Sequence, residues 1–120
     1  MRMQFEVEFY ETVDGKSPAI DFLDSLEPKV HAKFVSLLEL LETNGNRLRK
    51  PYSEHIEDDI FELRCKQGSN IYRIMYFFYY HGKIILTNGF IKKTQKTPKN
   101  VIALAKRYRE DYIRQMGAKE

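Results

Sequence analysis

Residues 3–10, MQFEVEFY, set Phe5, Val7 and Phe9 against Glu6 and Glu8, a two-residue alternation that predicts a half-buried strand. After an Asp14-Gly15 turn, Ser17-Pro18 supplies a helix cap with proline at the first helical position. That helix is expected to run to about Leu26, with Ile20, Leu23 and Leu26 at helical spacing. Pro28 opens a second helix, in which Val30, Phe34, Leu37, Leu38 and Leu41 form a sustained stripe and Asn44-Gly45 supplies the stop. The two make a helical hairpin against one sheet face. From Asn46 to Asp59 the chain is polar and irregular and reads as a loop. Three strand-like runs follow, IFELRCK (60–66), IYRIMYFFYY (71–80) and KIILTNGFI (83–91). Gln67-Gly68-Ser69-Asn70 and His81-Gly82 separate them, so an antiparallel meander of hairpins is the economical arrangement. Thr97-Pro98 caps a final helix with the stripe Val101, Leu104, Ala105, Tyr108 and Tyr112. The order strand, two helices, three strands, helix predicts an α+β domain with helices packed on an antiparallel sheet.

A chain of 120 residues fits one compact domain, residues 1–120, and its 42% hydrophobic content supports a packed core rather than disorder. The single cysteine, Cys65, has no internal disulfide partner, and His31, His55 and His81 show no metal-ligand spacing, so neither a metal nor a cofactor is expected. No apolar run reaches the roughly 18 residues that cross a bilayer. The acidic residues in MRMQFEVEFYE are foreign to a signal peptide, which points to the cytoplasm.

Charge sharpens the picture. The net value is +3, yet residues 1–63 carry 7 Lys and Arg against 14 Asp and Glu, whereas residues 64–120 carry 13 against 3. Balances of −7 and +10 within one small domain imply two faces with different partners, the basic one suited to a polyanion. Solvated surface charge would give the same counts.

Strand alternation sorts the basic half. In IFELRCK, Phe61, Leu63 and Cys65 share one face and Glu62, Arg64 and Lys66 the other, predicting an exposed charged sheet face. Arg73 stands among Ile71, Met75, Phe77 and Tyr79. A charge in so apolar a strand either pairs, with Glu62 an obvious partner, or points into a groove that awaits an anion. The third strand runs into FIKKTQKTPK, which places Lys92, Lys93, Lys96 and Lys99 just ahead of a helix N-terminus, where backbone amides favour phosphate. A lysine cluster alone is a weak signal, and it gains value if antiparallel pairing brings it near Arg64 and Arg73.

The run ELR, then YRIMYFF, then NGFIKKTQKTPKN with AKRYREDY, resembles the phage-derived, HigB-like branch of the RelE/ParE toxin superfamily over essentially the whole chain. The segment FIKKTQKTP is its most specific part. The resemblance implies a RelE-like fold and the toxin of a type II toxin–antitoxin pair, one that cuts mRNA in the ribosomal A site without a metal. It implies basic catalytic positions at Arg64, Arg73 and Lys93 (or Lys92), with Lys66, Lys96 and Lys99 as peripheral RNA contacts. It also implies a cognate antitoxin, encoded beside it and of helix-turn-helix type, that covers the basic groove or displaces the last helix. Some relatives carry a catalytic Tyr or His near the C-terminus; Lys99 and its neighbours offer none.

Metal-free RNA cleavage needs a 2′-hydroxyl that loses its proton, a phosphorus held in line with the leaving oxygen, stabilised phosphorane charge and a protonated leaving group. Arg64 and Arg73 suit the charge, since guanidinium is permanently cationic and grips phosphate through paired donors. Crowding among Lys92, Lys93 and Lys96 would depress lysine pKa values. Glu62 is either the base or a neutralising partner of the arginines. His55 and His81 either titrate usefully or are plain surface residues, and Tyr72, Tyr76, Tyr79 and Tyr80 either stack bases or pack the core. On this reading Arg73→Ala abolishes growth arrest and leaves the fold intact. Two alternatives stay open: a ParE-like inhibitor of DNA gyrase, and a non-catalytic RNA-binding protein or decayed toxin.

Overall fold

The computed structural model describes residues 5–92 and 96–119. Its elements are β1 (Glu6–Phe9), α1 (Pro18–Asp24), α2 (Pro28–Asn44), β2 (Ser53–Glu57), β3 (Ile60–Gln67), β4 (Asn70–Tyr79), β5 (Lys83–Lys92) and α3 (Lys99–Lys119). The helix signals act where the sequence puts them. Ser17 Oγ accepts from the Ile20 amide at 3.4 Å, Pro18 and Pro28 open α1 and α2, and Gly45, at φ 54°, closes α2 in a conformation that favours glycine.

β3, β4 and β5 form the expected antiparallel meander. Two further strands complete a five-stranded sheet in the order β1-β5-β4-β3-β2. β2 lies in the stretch read as a loop and pairs antiparallel with β3. Its sequence, SEHIE, holds one apolar residue, so no periodicity marks it; backbone pairing at the sheet edge makes it a strand. β1 joins the other edge parallel to β5, with Val7 opposite Ile84 and Phe9 opposite Leu86, so the sheet is mixed rather than wholly antiparallel. The long path from Phe9 to Lys83 supplies the connection a parallel pair requires.

Helices cover both faces. Ala19, Leu23, Val30, Phe34 and Leu41 of α1 and α2 pack in one cluster with Leu63, Ile74, Tyr76, Ile84 and Leu86. On the opposite face Ala105 and Tyr112 of α3 pack with Ile60, Met75, Phe77 and Ile85. β4 is central, and every residue from Ile71 to Phe77 is buried. This overturns the exposed charged face expected of β3: Glu62 is fully buried, Arg64 largely so, and only Lys66 is exposed. Thr97 is not the expected cap either. Its hydroxyl donates to Glu62, and the Pro98 carbonyl receives the first helical amides, from Val101 and Ile102.

Polar contacts also tie α3 to the rest of the fold. Tyr10 Oη donates to Asp111 at 2.6 Å, Tyr112 Oη to Glu8 at 2.9 Å, Lys106 joins Glu57 and Asp58, and Arg109 lies 3.2 Å from Asp59. Lys106 holds the Asp58 carboxyl below its ordinary value, and Tyr10 does the same for Asp111. Folded values below unfolded ones mean that this contribution is complete above about pH 4 and is lost as pH falls through the folded values. The urea midpoint should therefore drop as pH falls below about 4, and drop less in Lys106→Ala, where Asp58 has lost its partner. Equal drops in the two proteins would contradict this account of α3 docking.

Candidate functional site

Strand register gathers the charged positions of the basic half under and beside the start of α3. Arg64 stands opposite Arg73, which in turn stands opposite Phe90; the next row on the same face is Lys66, Ile71 and Lys92. Two guanidiniums directly opposed across an antiparallel pair repel one another. Glu62, one step along the same face of β3, answers both. Its Oε2 lies 2.9 Å from Arg64 Nε and 3.8 Å from Arg73 Nε, while its Oε1 accepts from Thr97 Oγ1 at 2.5 Å. The Arg73 guanidinium also sits 5.4 Å from the centre of the Phe90 ring, in cation–π range.

Of the two readings of Arg73, pairing is what the fold provides: Arg73 and Glu62 are both 0% exposed. Burial pushes the Glu62 carboxyl up, against the pull of Thr97, Arg73 and Arg64, and pushes the Arg73 guanidinium down, against the pull of Glu62. Each charge is tolerated there because the other is present. The expectation that Arg73→Ala leaves the fold intact does not survive this placement, since alanine would leave a void and an under-compensated buried carboxylate.

The lysines are arranged around this cluster. Lys66 and Lys92 are exposed on the neighbouring row, and Lys96 and Lys99 are exposed on either side of Thr97-Pro98, next to the bond that ties Thr97 to Glu62. Lys93 lies outside the described residues. Much of the remaining basic charge is spent on acids: Lys83 on Glu8, Lys106 on Glu57 and Asp58, Arg109 on Asp59, Arg114 on Asp111. Among the described residues of the basic half Lys66, Lys92, Lys96 and Lys99 enter no ion pair, nor do Arg107 and Lys119 further along α3; the four lysines are the ones placed beside the cluster.

Towards α2 a groove of about 800 Å³ opens beside the half of β3 that β2 does not pair, with Lys33, Lys50, Tyr52, Arg64, Cys65 and Lys66 in its wall. It is lined by four cations and no carboxylate; Glu54, outside it, lies 2.9 Å from Lys50 and 3.9 Å from Arg64. Lys33, Lys50 and Tyr52 escaped sequence reasoning because they belong to the acidic half, and only the fold brings α2 and the segment before β2 against β3. Thr97 escaped because Thr-Pro reads locally as a cap.

The remaining candidates disperse. Tyr72 and Tyr76 belong to the core, Tyr79 packs on Tyr112, and Tyr80, 73% exposed, lies beyond the far end of β4 from Arg73. His55 donates to the Asp58 carbonyl and sets its ring edge-on to Phe61, and His81 occupies the β4–β5 turn at φ 65°.

A mostly antiparallel five-stranded sheet between a helical hairpin and a C-terminal helix defines the RelE-like toxin fold. The same fold is found in the crystal structure of the toxin–antitoxin complex RelBE2 from Mycobacterium tuberculosis, with a TM-score of 0.53 and 17% identity, over 74% of this chain and 99% of that one. The chain belongs to the phage-derived Gp49-like protein family (DUF891), whose pattern matches residues 21–110. It is similar to proteins named probable endoribonuclease HigB1 in two Mycobacterium tuberculosis strains, CDC 1551 / Oshkosh and ATCC 25618 / H37Rv. Each is 30% identical over 97 residues, 81% of this chain and 75% of the relative.

Proposed function

We propose that this chain is the toxin of a type II toxin–antitoxin pair and acts in the cytoplasm as a ribosome-dependent, metal-independent mRNA endonuclease. The observation that carries the reading is the set of lysines without ion pairs, Lys66, Lys92, Lys96 and Lys99, around a buried Arg64–Glu62–Arg73 cluster at the start of α3. Similarity to proteins named probable endoribonuclease HigB1 favours RNA as the polyanion.

In this mechanism the lysines hold the message through its phosphates, a salt-sensitive grip without sequence preference. Arg64, at the wall of the groove, shares the charge that builds on the phosphorane. Arg73 touches no RNA from its buried place and acts through the field it adds behind Arg64. Lys93, next along the chain from Lys92, serves the leaving oxygen. The ribosome supplies the in-line alignment, and the enzyme's largest contribution is electrostatic. A helix-turn-helix antitoxin shields the basic surface, a pairing in keeping with the toxin–antitoxin complex that shares the fold.

Induced expression should halt amino-acid incorporation while thymidine incorporation continues. Replication stopping first would point to gyrase as the target and overturn the RNA reading.

A further inference from the structure

The buried carboxylate has a role other than that of a base. Glu62 is 0% exposed, so a ribose hydroxyl has no path to it; its Oε1 accepts from the Thr97 hydroxyl at 2.5 Å, and its Oε2 is in ion-pair contact, outside hydrogen-bond geometry, with Arg64 Nε at 2.9 Å and Arg73 Nε at 3.8 Å. Thr97, itself only 6% exposed, stands between Lys96 and Lys99 in the chain, while Glu62 stands two residues from Arg64 and four from Lys66 on β3. The Thr97–Glu62 bond thus joins the two halves of the basic surface, the start of α3 on one side and β3 on the other.

We propose that Thr97 and Glu62 are positioning residues for RNA cleavage: the Thr97 hydroxyl fixes the Glu62 carboxylate, which fixes the Arg64 guanidinium at the wall of the groove. This rests on the ribonuclease reading above and names the residues that aim its phosphate-binding arginine. The chemistry suits the task. A carboxylate fixed by a hydrogen bond fixes in turn where its ion-paired guanidinium sits, and transition-state charge is stabilised only by groups already in place when it develops. Thr97→Val removes the hydroxyl at nearly constant shape and frees the carboxylate to swing. Lys96 and Lys99 remain, so binding of the message depends on charges the substitution does not touch.

The test is cleavage of a defined message on programmed ribosomes by the purified full chain, read as separate kcat and KM values. Thr97→Val should lower kcat by about 10-fold to 100-fold, the cost of a misplaced catalytic group, with KM changed by less than about twofold. Thr97→Ser, which keeps the hydroxyl, should return kcat to within about threefold of the parent. A merely structural Thr97 would lower the active fraction of the enzyme, which thermal melts of both variants measure, and would not separate valine from serine after correction for it. Thr97→Val with parental kcat, or Thr97→Ser as impaired as Thr97→Val, overturns the inference while the ribonuclease reading stands. A parent chain that makes no cuts overturns the ribonuclease reading and this inference with it.

Discussion

Arg73→Ala is expected to lower the free energy of unfolding by about 3–5 kcal/mol, the range seen when one partner of a buried ion pair is removed. Three features of the site set that size. The side chain is 0% exposed on the central strand, so nothing solvates the hole it leaves. Glu62 stays behind, also 0% exposed, with its contact to Arg73 gone. The Phe90 ring loses the cation stacked on it. Arg73→Met, which refills volume but not charge, should recover only part of the loss. Urea denaturation of the three proteins reads the effect, and a change below about 1 kcal/mol for Arg73→Ala would show that the buried pair is not what holds this region. Small domains have about 5–15 kcal/mol in all, so lost toxicity in this variant is first a matter of stability.

That outcome differs from what the sequence suggests, and the reason lies in β4. An arginine among Ile71, Met75, Phe77 and Tyr79 announces a special position, but linear sequence does not say which strand lies in the middle of a sheet. The order β1-β5-β4-β3-β2 puts β4 there, and α3 then closes the Arg73 side. The same closure turned Glu62 from a surface acid into a buried countercharge. Elements marked by periodicity or caps were legible: the helical hairpin from Ser17 to Asn44, the meander from Ile60 to Lys92 and the stripe of α3. β2 was not, because SEHIE is paired through its backbone and buries little. Nor were Lys33, Lys50 and Tyr52, whose approach to Arg64 exists only in three dimensions. The family itself was legible in ELR, YRI and FIKKTQKTP, and the Gp49-like match covers these segments. Composition misled in one respect. The +10 balance of residues 64–120 overstates what a polyanion meets, because Lys83, Lys106, Arg109 and Arg114 are engaged with acids.

The second large effect follows from what is left. Replacing Lys66, Lys92, Lys96 and Lys99 together by glutamine should leave the unfolding midpoint near the parent value, because all four are exposed and carry no ion pair among the described residues. Binding to single-stranded RNA should weaken strongly, with the plot of log affinity against log salt shallower by about 3, as expected for four lost phosphate contacts. An unchanged slope would mean that these lysines are solvated charge and that the partner binds elsewhere.

The most direct measurement joins that variant to the chemistry. Purified parent and quadruple-glutamine chains are added to a translating extract, and the 5′ ends of a reporter message are mapped. Binding and cutting by this basic surface predict new ends inside the coding region with the parent chain, absent when translation is blocked and reduced by roughly tenfold or more with the variant. A message that stays intact with the parent chain while translation still stops, or ends that form equally with the variant, would contradict it.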